Sequence, residues 1–287
     1  MLNPADGERN ARIGFEPQDK CAAILIYDLL IQGRLEWFHI ADPNAGRVDD
    51  ILVATTDGQL LAYQVKWSDK VEFISFADFI RSSGKNKANP SLILQLADGW
   101  SALKKQYPER RVLVHLIHRH LPSPKKPPEI KLPLDDSPPR QQNFQAFIRD
   151  CWQAKREWLH KGLSGIPQGW SSAIEAVRQE TGLDDADFLA FIDASFLYFN
   201  YQFSQQDGVM SRSEAQREQD IEAIARLIAR LGGGERRVAE VTRTELLKEL
   251  SWESRFEFRF KHEFPVEQSI YQPITGTVQE LEKAAGN

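Results

Sequence analysis

The chain has 287 residues, 41% of them hydrophobic and 27% charged, a length and balance that support at least one buried core and exclude intrinsic disorder. Its net charge of −5 supplies no global attraction to nucleic acid, so any binding to DNA has to come from local patches. The polar start over residues 1–10, the lack of an apolar run near the roughly 20 residues needed to span a bilayer, and two distant cysteines (Cys21 and Cys151) lead us to expect a cytoplasmic chain with neither membrane segment nor disulfide framework.

In chain order, Glu16-Pro17-Gln18 reads as the opening of a helix that carries Cys21, Ala22, Leu25, Leu29 and Leu30 and stops near Gly33. Proline near the first turn and glycine past the last are the usual punctuation. Residues 35–40 read as a strand. Two β-rich runs, 48–54 and 60–67, flank Asp57-Gly58, a pair that signals a hairpin. A short helix is expected over 76–81. Asn89-Pro90 then reads as the N-cap and first residue of a longer helix bearing Leu92, Leu96, Trp100 and Leu103. The run RVLVHLI at 111–117 is a fourth strand. Residues 1–120 therefore spell α-β-β-β-α-β, an α/β fold with a small mixed sheet and flanking helices.

Residues 121–140 are dense in proline, from Pro122 to Pro139, which forbids regular structure and marks a connection. Helical spacing follows at 144–152, 171–180, 185–197, 213–231 and 244–250, so residues 141–252 read as a mainly helical subdomain. Phe256, Phe258 and Phe260 alternate as in an extended arm, and 277–285 reads as a last short helix. Together, 253–287 form an arm and connector helix.

The informative stretch is GRVDDILVATTDGQLLAYQVKWS, residues 46–68. Alternation along a strand sends Gln64 and Lys66 to one face and Val65 to the other. The hairpin brings the Asp49/Asp50 end of the preceding strand close to that face. Carboxylate, amide oxygen and ammonium then converge at one sheet end. Phosphodiester hydrolysis needs such a set: hard oxygens to hold Mg²⁺ or Mn²⁺, and a cation to orient or deprotonate the attacking water and stabilise developing charge. Adjacent aspartates point to opposite faces, so one of the two is expected to be a ligand. Asp50 is favoured, with Asp49 left open.

Val48-Asp49-Asp50-Ile51 followed by Gln64-Val65-Lys66 resembles the Asp…(Glu/Gln)-X-Lys core of PD-(D/E)XK nucleases, especially Mrr-like restriction nucleases and the double-stranded DNA endonuclease domains of bacterial antiphage systems. The Gly14-Phe15…Gln18 helix, the Trp100 helix and the VLVHLI strand fit the same pattern, and the likeness covers about residues 12–120. It implies a metal-dependent endonuclease acting on double-stranded DNA. In this resemblance Asp49 or Asp50, Gln64 and the Val65 carbonyl hold the metal, and Lys66 takes the catalytic lysine's role. Gln64 stands where glutamate is commoner, so the metal is expected to bind weakly until DNA phosphate joins its shell. That substitution keeps open a catalytically degenerate nucleic-acid-binding or interaction module. A stand-alone restriction-type nuclease is the other alternative.

The stretch Lys261-His262-Glu263-Phe264-Pro265-Val266, with Tyr271-Gln272-Pro273-Ile274 and the helix after it, resembles the connector into the NACHT-like ATPase of antiphage STAND proteins. This likeness implies an effector piece whose partners are an ATPase and a sensor further along the same protein, with self-association into oligomers.

Local basic residues are the expected DNA contacts: Lys85 and Lys87 in one cluster, and Lys104, Lys105, Arg110 and Arg111 in another. His115, His118 and His120 come without a supporting cysteine or carboxylate set, so a zinc site is not expected. Gly232-Gly233-Gly234 lacks the Gly-Lys-Ser/Thr of a phosphate-binding loop, and no ATP site is expected within the chain.

Overall fold

A computed structural model describes residues 4–40, 50–68, 70–81, 90–125, 143–200, 212–232 and 240–250, with backbone alone at 4–17, 212, 213, 231 and 232. The fold is mixed α/β. Helix α1 (Pro4–Ile31) leads into strands β1 (Leu35–Ile40), β2 (Ile51–Thr55) and β3 (Gln59–Lys66). Then come β4 (Phe73–Ile74), α2 (Phe76–Ile80), α3 (Leu92–Gln106), β5 (Arg111–His118) and β6 (Leu121–Pro122). The second half supplies α4 (Phe144–Phe147), α5 (Lys155–Trp158), α6 (Ser171–Thr181), α7 (Asp185–Ala194), β7 (Ser195–Phe199), α8 (Arg212–Gly232), β8 (Val241–Thr242) and α9 (Arg243–Glu249).

Six strands form one sheet in the order β7-β5-β3-β2-β1-β8. The β8-β1-β2-β3 half is antiparallel, while β3, β5 and β7 run parallel. Strands β2 and β3 are buried on both faces, which explains their near-continuous apolar runs ILVAT and LLAY. The hairpin between them closes as the Asp57-Gly58 pair predicts: Gly58 has φ +80° and its N–H donates to the Thr55 carbonyl at 3.0 Å. That left-handed φ is open to glycine without strain. Helix α3 packs along β5, and α1 lies along β1 and β2 against α8. Strands β4 and β6 pair separately as a two-stranded ribbon.

Several elements differ from the sequence reading; one is β6, whose Leu121-Pro122 pairs with β4 at the start of the 121–140 stretch expected to lack regular structure, with Pro122 at the end of a two-residue edge strand. Helix α1 begins at Pro4, not at Glu16, and carries Pro17 inside it; the cost is one helical N–H. The N-cap of α3 is Ser91, whose Oγ accepts the Leu94 N–H at 3.2 Å, so the Asn89-Pro90 pair stands before the cap. Helical spacing through 197 is cut at Ala194. From Ser195 the chain SFLYF becomes β7, because alternate Ser195, Leu197 and Phe199 are buried beside β5. Val241-Thr242 likewise joins the sheet, beside Trp37 and Phe38. Strands β7 and β8 thus bring residues from 141–252, the stretch read as mainly helical, into the sheet started by residues 35–66. Residues 126–142 and 251–287 lie outside the described residues, and with them most of the proline-rich connection, the Phe256–Phe260 alternation and the connector-like segment.

Candidate active site

Strand direction collects the site. Since β3 and β5 are parallel, their carboxyl ends meet at one edge of the sheet, and the antiparallel β2 starts at that same edge. Ile51, the first residue of β2, pairs with Tyr63, so Asp50 just before it lies at the carboxyl end of β3. Alternation puts Gln64 and Lys66 on a common face of β3, with His118 beside Lys66.

Hydrogen bonds hold this edge. Asp50 Oδ2 accepts the Val65 N–H at 2.6 Å, a charge-assisted bond that fixes the carboxylate against β3. The Val65 carbonyl accepts from Gln18 Nε2 of α1 at 3.1 Å. Gln64 is 2% exposed, and its Nε2 donates to Gln95 Oε1 at 2.9 Å. Gln95 Nε2 donates in turn to the Pro90 carbonyl at 2.7 Å. This relay orients Gln64, because committing its amide nitrogen to α3 fixes which end of the group is oxygen. Beneath the edge, burial pushes the Cys21 thiol up to about 12, with the Asp50 charge adding to the shift, so Cys21 is packing and not a nucleophile.

Beside Lys66 lies an open cleft of about 280 Å³ lined by Gln18, Val65, Lys66, Trp67, Leu92 and the His118/His120 pair. Burial above all, with the Lys66 charge acting in the same direction, lowers the His118 pKa to about 4, so the ring is neutral at physiological pH. Arg119 stacks over Trp67 at 4.9 Å, and its backbone N–H donates to the Lys66 carbonyl at 3.0 Å, tying the two strand ends together.

The oxygens at this edge are the Asp50 carboxylate, the Gln64 amide and the Val65 carbonyl. All are hard donors, and they fit Mg²⁺ or Mn²⁺ in kind, with the charge of one carboxylate. Among the described residues no three His, Cys, Asp or Glu side chains gather as a metal-ligating group. Asp49, Lys85 and Lys87 lie outside the described residues.

The other basic cluster is not brought to this edge. Lys104 and Lys105 sit in the last turn of α3 and Arg110 and Arg111 at the start of β5, at the opposite end of the sheet. Lys104 pairs with Asp187 at 2.9 Å and Arg111 with Asp193 at 3.0 Å. Arg110 grips Glu36 with both terminal nitrogens, at 3.0 and 2.9 Å. Their closeness to the site in sequence is lost because α3 and β5 run antiparallel across the whole sheet. His115 projects from the other face, stacked on Tyr63 at 4.5 Å and Phe196 at 5.0 Å. Gln95 escaped the sequence reading, although a lone amide among the apolar residues of LILQLA is the signal that would have found it.

Compared with protein-family models and with curated proteins, the chain gives no match.

Proposed function

We propose that the chain is a metal-dependent endonuclease of the PD-(D/E)XK type that hydrolyses phosphodiester bonds of double-stranded DNA. The observation that carries this reading is the Asp50 carboxylate held on the Val65 N–H, between Gln64 and Lys66 at the end of β3 and beside an open cleft. Asp50, Gln64 and the Val65 carbonyl would hold Mg²⁺ or Mn²⁺. When bound, the ion supplies Lewis-acid polarisation of a phosphoryl oxygen. The chain's own residues do the rest. Asp50 and Gln64 are held rigid by the Val65 N–H and by Gln95, so the donors need little reorganisation. Lys66 stands at the strand end, half-buried, where its ammonium orients the attacking water and offsets charge developing on the phosphate.

The test is plasmid cleavage by the purified chain in Mg²⁺ against EDTA, with Lys66→Ala and Asp50→Asn alongside. Lys66→Ala should lower kcat by roughly a hundred- to a thousand-fold while the fold persists. Asp50→Asn keeps an oxygen for the Val65 N–H and loses the charge, so it should fold and not cut; Asp49→Asn should be milder. Wild-type nicking by a folded Lys66→Ala protein would overturn the assignment. The placement in an antiphage STAND protein, acting as an effector ahead of an ATPase, extends this reading on the sequence likeness of residues 261–286 alone.

A further inference from the structure

We propose that His118 and His120 form a paired, uncharged hydrogen-bond clamp for a backbone phosphate of the nucleic acid, next to the scissile one. The inference rests on the nuclease reading for the identity of the ligand, and on the cleft's own geometry for the clamp. His118 Nδ1 accepts the backbone N–H of His120 at 3.0 Å, and His120 Nδ1 accepts the backbone N–H of Glu72 at 3.1 Å. A nitrogen that accepts carries no proton. Each neutral ring must therefore carry its hydrogen on Nε2. Backbone, not solvent, sets both tautomers.

The two rings stand 5.0 Å apart, centroid to centroid, and both line the cleft beside Lys66. With Nδ1 of each ring engaged by backbone, Nε2 is the nitrogen left to donate, and no described residue takes a hydrogen bond from either. The cleft therefore offers two fixed N–H donors and one ammonium. It suits an oxyanion with several acceptor oxygens. Helix α3 contributes in the same sense, since Leu92 at its amino end lines the cleft and the helix runs 15 residues away from it.

Placement selects which phosphate. Asp50, just ahead of β2, Lys66 on β3 and His118 on β5 follow one another across the sheet, whose strands are about 4.8 Å apart. A phosphate reacting between Asp50 and Lys66 leaves the histidine pair one strand further out, where the next phosphate of the same DNA strand would lie. Neutral donors serve there because they bind the phosphate without repelling a cation held at Asp50. The chain would thus grip its substrate by one more phosphate than the Asp50–Gln64–Lys66 set accounts for.

The experiment uses the full chain with ¹⁵N-labelled histidine and a short DNA duplex, in EDTA so that nothing turns over. Two of the six histidines should show the Nε2–H tautomer with Nδ1 unprotonated and should move on titration with the duplex. His120→Gln, whose side-chain nitrogen falls where Nε2 stood, should keep affinity within a few-fold. His120→Asn, which reaches only the Nδ1 position, should weaken binding about tenfold, and in Mg²⁺ it should raise KM by a similar factor with kcat little changed. His118→Gln and His118→Asn form the parallel pair, while the wild-type tautomers and titration need no variant. If the duplex leaves both signals unmoved, or if the Asn variants bind and turn over like wild type, the clamp is wrong even where cleavage is robust. If the signals move and no cleavage occurs in Mg²⁺, the clamp stands and the nuclease reading falls.

Discussion

In the proposed metal site, Gln64 has two partners to serve. Its amide must donate to Gln95 and also offer an oxygen at the sheet edge, and glutamine does both where glutamate cannot. Gln64→Glu would add a negative charge among the donors and should lower the Mg²⁺ concentration for half-maximal activity about tenfold. The same change sets a carboxylate against Gln95 Oε1 in a buried position, so it should cost about 1–3 kcal/mol of stability. A Mg²⁺ titration of activity and a denaturant melt read the two effects separately. An unchanged metal dependence would mean that Gln64 is not a ligand.

At the scale of elements, the passage from α7 to β7 depends on one buried cation. Lys155, 5% exposed, donates to the carbonyls of Ile192 and Ser195 and lies 4.2 Å from the Phe196 ring centroid. It thereby satisfies carbonyls at the helix end and holds the turn from which β7 joins β5. Burial is the main cause that lowers its pKa from 10.5 to about 7. Between these values the unfolded chain binds a proton that the folded chain does not, so stability should rise as pH increases from about 7 towards 10. The penalty for burying the charge is fully present below pH 7. Lys155→Met removes the titrating group, and its melting temperature should lack that rise when both proteins are followed across the range. Parallel pH profiles would show that Lys155 keeps its proton throughout.

Across the whole molecule, the sheet separates two charged regions. From Arg111 to His118 strand β5 makes seven rises of about 3.3 Å, roughly 23 Å, more than twice the 8–10 Å over which charges are felt at ordinary salt. Replacing Lys104, Lys105, Arg110 and Arg111 together by glutamine should therefore leave the slope of DNA affinity against salt nearly unchanged. Stability should fall by about 1–2 kcal/mol, most of it from Arg110, the least exposed of the ion pairs at that end and the one bound through two nitrogens. A flattened salt slope would put DNA at the far end and away from the Asp50 edge.

Local pattern was enough for strands β1, β2, β3 and β5, for the Asp57-Gly58 hairpin, and for Gln64 and Lys66 sharing a face. These follow from the two-residue period of a strand and from turn chemistry, which act over a few residues. Three things needed the tertiary structure. Helical apolar spacing runs through residues 185–197, yet Ser195–Phe199 forms a strand because it lies along the edge of β5. Gln18 and Gln95 reach the site from helices 47 and 31 residues away in sequence from the groups they bind, a closeness that spacing along the chain does not encode. The basic residues at 104–111 lie near the site in sequence and far from it in space, because a helix and a parallel strand each carry the chain across the full sheet. Periodicity reports which side of its own element a residue faces; which end of the molecule it occupies depends on how the elements are ordered and directed.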